Sequence, residues 1–284
     1  MICVSTGQFK GINTSTLIKK LYKNGVQNIE LSAGRYEKNI EKKIISLKKE
    51  HNLFLHNYFP RPKKDFILNL CSINPEIRKK SYKHVINGIN LSSKIKSQCF
   101  SFHAGFLLDP NILEIGKKFA RTKMRKKSDA IKDFIKIVNK LAKYAGEKKI
   151  TLLIENNVVT SQNLKIFKKN PLLMADHKDA IKIMKKTPEN VCLLLDVAHL
   201  KVSSKTLDFS KTEFIKKCNK WIRVYHLSDN DGNFDTNDEV RSNSWFWKYL
   251  KKDAIYYSLE IKFKNIAQIK KQIKITTTKV GQFK

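Results

Sequence analysis

In the stretch Val191-Cys192-Leu193-Leu194-Leu195-Asp196-Val197-Ala198-His199-Leu200, five apolar residues run straight into a carboxylate and then an imidazole. A strand with one wet face alternates apolar and polar residues, whereas a strand covered on both faces shows such a continuous run. Strands of the second kind belong to parallel sheets wrapped by helices. The stretch therefore commits the chain to the α/β class and sets Asp196 and His199 at a strand's C-terminal mouth.

Seven further segments read as strands: Ile2–Thr6, Val26–Ser32, Leu53–Tyr58, Gln98–His103, Ile150–Glu155, Trp221–Leu227 and Ile255–Glu260. Helical patterns separate them. Asn13-Thr14-Ser15 starts a helix that Gly25 ends, and Tyr36–His51 is lysine-rich and amphipathic. Asn74-Pro75-Glu76 opens a helix to about Ser93, Pro being favoured in a first turn. Ser128–Lys148, Lys178–Lys186, Lys211–Lys217 and Ala267–Ile275 complete the series. Ser242–Leu250 reads as a short helix whose Trp245-Phe246-Trp247 either stacks on a ligand or packs over the barrel end. No repeat or low-complexity linker interrupts the alternation, so one domain over 1–284 is expected. Eight strands alternating with helices at this length imply a single (β/α)8 barrel, a TIM barrel.

Such a barrel gathers its strands' C-terminal ends in one mouth. His56, His103, Glu155, Asp196, His226 and Glu260 each terminate a strand. Taken singly, a histidine at a strand end is more often a hydrogen-bonded structural residue than a ligand. Several imidazoles and carboxylates buried together are costly unless a cation or dense hydrogen bonding compensates them. A divalent metal is the economical compensation. Mixed carboxylate and imidazole donors suit Mn, Zn, Co or Fe better than Ca; Mn, Co, Mg or Zn is the expected cofactor, with no organic cofactor. His51, His84 and His177 lie in helical or loop segments and Cys192 inside a strand, and packing accounts for them.

The net charge of +32 points by itself to nucleic acid or another polyanion. Lysine outnumbers arginine 50 to 7, however, and Ile and Asn are abundant, as A/T-rich codon bias would produce. Doublets such as Lys42-Lys43 and Lys216-Lys217 are spread over the helical segments, where solvated faces explain them. The five cysteines are scattered without a CxxC pair, which favours buried reduced thiols over a zinc or redox site. No apolar run approaches a bilayer span, and Met1–Ser5 enters a strand at once; a cytoplasmic location without membrane partners is expected.

With these strand ends in hand, the chain resembles the xylose isomerase-like TIM-barrel superfamily, in particular its sugar-phosphate isomerase/epimerase branch. The supporting segments are Asn28–Ser32, His56–Pro60, Phe102–Gly105, Leu153–Asn156, Leu195–His199, His226–Gly232 and Leu259-Glu260. The resemblance implies one divalent ion held by Glu155, Asp196, His226 and Glu260, with Glu155 and Glu260 exchanging a proton with the sugar through a metal-stabilised enediolate. It also implies that His199 hydrogen-bonds the reacting oxygens and that Asn157, Asp231 and Arg241 contact a sugar or sugar phosphate. Self-association is left open. A rival from the same superfamily is the endonuclease IV-type AP endonuclease, whose three-zinc cluster cuts DNA at abasic sites. His56, His103, Glu155, Asp196, His199, His226, Asp235 and Glu260 resemble eight of its nine ligands, and positive charge would help bind phosphates. Its Asp-x-His step stands here as Asp235-Thr236-Asn237, whereas Asp229-Asn230-Asp231-Gly232 is closer to the sugar enzymes. A degenerate barrel without activity is the third alternative.

Overall fold

The eight expected strands form within a few residues of their expected bounds in the computed structural model, which describes residues 1–9, 11–48 and 51–282. They are β1 (Ile2–Ser5), β2 (Asn28–Ser32), β3 (Asn52–His56), β4 (Cys99–His103), β5 (Thr151–Glu155), β6 (Val191–Asp196), β7 (Ile222–Leu227) and β8 (Tyr256–Leu259). Each pairs in parallel with the next, and β8 returns to β1, so the sheet closes as a single (β/α)8 barrel.

Successive side chains on a strand face opposite sides, and here the two sides enter different clusters. Cys3, Phe54, Cys99, Leu153, Leu194 and Tyr256 meet inside the barrel. Their neighbours Val4, Leu55, Phe100, Ile154, Leu193 and Leu195 face outward into the larger core shared with the helices. This explains the opening run: Leu194 fills the interior while Leu193 and Leu195 seal the outer wall. The interior residues nearest the C-terminal ends are polar, and they form the mouth.

The outer ring consists of α1 (Thr14–Lys23), α2 (Ile40–Leu47), α3 (Pro75–Lys94), α4 (Lys127–Glu147), α5 (Ser161–Phe167), α6 (His177–Met184), α7 (Val197–Thr206), α8 (Lys211–Cys218) and α9 (Ile266–Gly281). Asn74 caps α3 by accepting from the Glu76 amide at 2.8 Å, with Pro75 in the first turn. Several elements depart from expectation. Helix α2 starts at Ile40 rather than Tyr36, because Gly34 and Asn39 adopt left-handed φ of 92° and 59°; residues 49 and 50 of its expected C-terminal end lie outside the described residues. Helices α5 and α7 have no counterpart among the expected ones. Helix α9 runs to Gly281, burying Ile269, Gln272 and Thr276. The expected helix over Ser242–Leu250 is only a 3-10 turn at Trp247–Tyr249, where Phe246 and Trp247 are packed into the core and the Trp247 indole donates to the Arg241 carbonyl at 2.7 Å. Packing is thus their observed role.

All five cysteines are free and buried. Among the described residues no helix is long and apolar enough to cross a membrane.

Candidate metal centre

Strand register assembles the mouth. His103 lies opposite Glu155 across β4 and β5, and Asp196 opposite His226 across β6 and β7. The second pairing depends on an irregularity: Leu193 pairs with Ile222 but Leu194 with Val224, so β7 carries one extra residue. Without that bulge Asp196 would face a neighbour of His226 pointing the other way.

Glu155 sits at the centre with no exposed surface. Its Oε2 is 3.3 Å from both His56 Nε2 and His103 Nδ1. Its Oε1 lies 3.4 Å from His199 Nδ1 and 3.5 Å from His226 Nδ1. His226 Nδ1 is also 2.8 Å from Glu260 Oε2 and 3.9 Å from Asp196 Oδ2. Glu260 is partly open to the mouth, and Gly7 packs so near that a Cβ there would stand 3.1 Å from Glu260 Oε1.

Asp196 divides its two oxygens between fold and site. As N-cap of α7, its Oδ1 accepts from the His199 amide at 2.7 Å, while Oδ2 is buried without a hydrogen-bond partner. The cap places His199 in the first helical turn, facing back over the mouth. His199 Nδ1 meets the Asn156 carbonyl at 2.9 Å, and Nε2 lies 3.2 Å from Asp235 Oδ2. Asn156 also brackets Asp196, donating to its carbonyl at 3.1 Å and accepting from its amide at 2.8 Å.

Glu30 is not among the strand-terminal residues picked out from the sequence. It is fully buried on β2, and His226 Nε2 reaches its Oε2 at 3.0 Å. The Tyr256 hydroxyl donates to the same oxygen at 2.8 Å, and the Ser258 hydroxyl to Oε1 at 3.1 Å. The missed signal was a carboxylate in the middle of Asn28-Ile29-Glu30-Leu31-Ser32, at a position alternation sends inward.

These groups perturb one another. Burial alone would raise the Glu30 carboxyl, but the His226 charge and hydrogen bond, with His56 and Tyr256, bring it down to about 2. Burial opposes ionisation of Glu155 as well, yet His103, His226 and His56 hold it well below the usual range. Burial pushes Asp196 up to about 7, with Asp235 and Glu155 adding to it against His199 and His226. Burial works against a charge on His226, and Glu30, Glu155 and Glu260 overcome it, raising the imidazole well above its ordinary value. Imidazolium–carboxylate pairing is one answer to such crowding; a cation is the other.

The donor set suits a cation. One atom each from Glu155, Asp196, His226 and Glu260 lie within 4.8 Å of one another, as do atoms of His56, His103 and Glu155. Both Glu155 oxygens, Asp196 Oδ2 and His226 Nδ1 are buried without a hydrogen-bond partner among the described residues. Buried polar atoms are rarely left so, and the three residues that carry them all belong to these two groups.

Other expected contacts lie elsewhere. Asn157 is buried, its amide donating to the carbonyls of Ala104, Gly105 and Leu173, which fixes the turn after β4. Asp231 is exposed and binds the amide and side chain of Asn233 within its own turn. Arg241 is exposed at the far end of that loop. Asn237, in the place of the rival pattern's histidine, is buried with φ of 52° and accepts from Gln8 at 3.2 Å.

The sequence matches the xylose isomerase-like TIM barrel family over residues 18–246. No match is found among curated proteins. Similar solved structures include a D-tagatose 3-epimerase-like protein (17% identity, TM-score 0.74, 99% of this chain and 97% of that one). The IOLI protein with a zinc atom matches at 13% identity and TM-score 0.67 over 100% and 99% of the two chains. Endonuclease IV from Thermus thermophilus matches at 11% identity and TM-score 0.61 over 99% of each. At these identities the likeness is one of fold.

Proposed function

The chain belongs to the xylose isomerase-like TIM barrel family, and from that premise we propose that it is a metal-dependent isomerase or epimerase of a sugar or sugar phosphate. The observation that carries this is the group Glu155, Asp196, His226 and Glu260, whose donor atoms converge within 4.8 Å while three of the four residues contribute buried, unpartnered atoms. A divalent ion held by these four would polarise a substrate carbonyl and its neighbouring hydroxyl and acidify the adjacent C–H.

The remaining work falls to the chain. Glu155, buried at the floor, and Glu260, partly open at the mouth, supply two carboxylates of different exposure to take up and return a carbon-bound proton. His199, braced at Nδ1 by Asn156, turns Nε2 towards the mouth, where it can hydrogen-bond a substrate oxygen in exchange with Asp235. The lower apolar layer, with Leu153, Leu194 and Tyr256, closes the barrel beneath the reacting atoms and excludes water from that side. The test is incubation of the Mn- or Co-loaded protein with a panel of ketoses and their phosphates in D2O. Deuterium entering a carbon-bound position beside the carbonyl is expected; no exchange with any of them refutes the assignment.

One observation favours a second reading. His56 and His103 converge on the Oε2 face of Glu155, opposite the four-residue group, and His199 pairs with Asp235 nearby. Three adjoining donor groups suit a multinuclear zinc site for phosphodiester cleavage. Three zincs per chain and cutting of duplex DNA at an abasic position would establish it in place of the first.

A further inference from the structure

His226 lies between two sets of carboxylates, and its two nitrogens are not equivalent. Nδ1 looks upward to Glu260 at 2.8 Å, Glu155 at 3.5 Å and Asp196 at 3.9 Å. Nε2 looks inward, towards the barrel axis, and meets Glu30 at 3.0 Å. An ionised carboxylate can only accept hydrogen bonds. The Tyr256 hydroxyl at 2.8 Å and the Ser258 hydroxyl at 3.1 Å both donate to the Glu30 carboxylate, which is the surrounding of an ionised group, so His226 Nε2 meets it as a donor as well. Both nitrogens of His226 thus face carboxylates; once a cation takes Nδ1 in place of its proton, the one remaining proton stays on Nε2, donated to Glu30.

We propose that Glu30 is the positioning residue of the metal centre: through its hydrogen bond it fixes the tautomer and ring orientation of His226 so that Nδ1 faces the cation. The inference rests on the metal-centre assignment above and deepens it. It also accounts for a carboxylate at a barrel-interior position where an apolar residue would be the cheaper filling. An apolar side chain would leave the His226 N–H and two hydroxyls without an acceptor and free the imidazole to turn. Glu30 itself need not touch substrate. Tyr256 and Ser258, both on β8, hold the carboxylate in turn, so the support runs from β8 through β2 to β7. Carboxylate partners of this kind, when removed from metal-binding histidines, weaken metal affinity about 10- to 100-fold.

The experiment compares the wild-type chain with Glu30→Gln and Tyr256→Phe. Each is stripped with chelator and titrated with Co(II) or Zn(II) alone, against a competing chromophoric chelator. In parallel, the imidazole N–H protons of 15N-histidine-labelled protein are recorded. Glu30→Gln keeps the volume but turns an N–H2 towards donors. It is expected to bind both metals about 10- to 100-fold more weakly and to change the Co(II) visible spectrum. Tyr256→Phe, which leaves the carboxylate in place, should lose less. In the metal-loaded wild type, His226 should carry its proton on Nε2. Equal affinity in Glu30→Gln and wild type would overturn the role of Glu30 while leaving the metal centre standing. A wild-type chain that binds neither metal would overturn the centre and this inference with it. If Glu30→Gln does not fold, the wild-type spectrum decides, because a His226 proton found on Nδ1 with metal bound contradicts the proposal.

Discussion

Withdrawing the divalent ion should lower the thermal midpoint by an amount the site itself sets. Four atoms, both Glu155 oxygens, Asp196 Oδ2 and His226 Nδ1, are buried without hydrogen bonds. A cation there would take up these atoms, and it would bind the folded chain, where the four ligand residues converge, rather than the unfolded one. At a free ion concentration of about 100 times its dissociation constant, the stabilisation is about 2.7 kcal/mol. Unfolding entropy near the midpoint is roughly 2.1 cal/mol/K per residue. Across the 284 residues, that amounts to roughly 0.6 kcal/mol/K, and the midpoint should rise by about 4–5 °C. The assay is a fluorescence melt of chelator-stripped protein titrated with Mn, Co, Zn and, as a control, Ca. The shift should follow the ion's concentration logarithmically beyond saturation and disappear in Asp196→Asn, which keeps a cap acceptor for the His199 amide. Shifts below about 1 °C with all three transition metals, or an undiminished shift in Asp196→Asn, would refute the reasoning.

Three further outcomes are expected. Glu260→Gln should cut turnover about 100-fold or more, the usual scale for losing a general acid or base, while its midpoint in chelator stays near wild type because Glu260 borders the open mouth; retained turnover removes it from the reaction. Asn156→Ala should destabilise by about 2–4 kcal/mol, since it strands the buried amide and carbonyl of Asp196, and chemical denaturation measures that loss. Burial pushes the His84 imidazole, which meets the Asn57 carbonyl at 3.0 Å, down to about 4. Between its ordinary value of 6.5 and about 4 the unfolded chain binds the additional proton. Stability from this group is therefore complete above 6.5 and lost as the pH falls to about 4, by up to about 3 kcal/mol. Urea unfolding at about pH 7.5 and about pH 4.5, either side of that window, should show a smaller difference in His84→Gln than in wild type, and equal differences would exclude His84.

The strand ends were legible because two simple patterns coincide there: an apolar run long enough for a buried strand, then a polar side chain where the barrel opens. Glu155, Asp196, His226 and His103 were all accessible to that logic. Glu30 was not, because it lies a layer below the mouth, flanked by Ile29 and Leu31, and only its partners on β7 and β8 reveal its purpose. Helix α7 escaped notice for a related reason. Val197, Ala198 and Leu200 continue the apolar character of β6, and the change from strand to helix is made by Asp196 acting as a cap, a duty hidden by its more conspicuous carboxylate. The aromatic triplet was legible in part: packing was one of its two expected roles, but where a short helix was expected tertiary packing leaves only a 3-10 turn.

Tyr256 belongs to two assemblies at once. Its ring packs on Phe54 at 4.3 Å in the barrel interior, and its hydroxyl holds Glu30. The filling that keeps the cylinder from collapsing and the scaffold that aims the histidine are thus one set of atoms, with no partition between them. Over generations, drift in that column is doubly policed, once for folding and once for chemistry, and few replacements survive both. Exposed loop residues such as Asp231 and Asn233 face neither test. Divergence towards new substrates in a lineage carrying this chain would therefore be written in the loops while the inner column stays almost still.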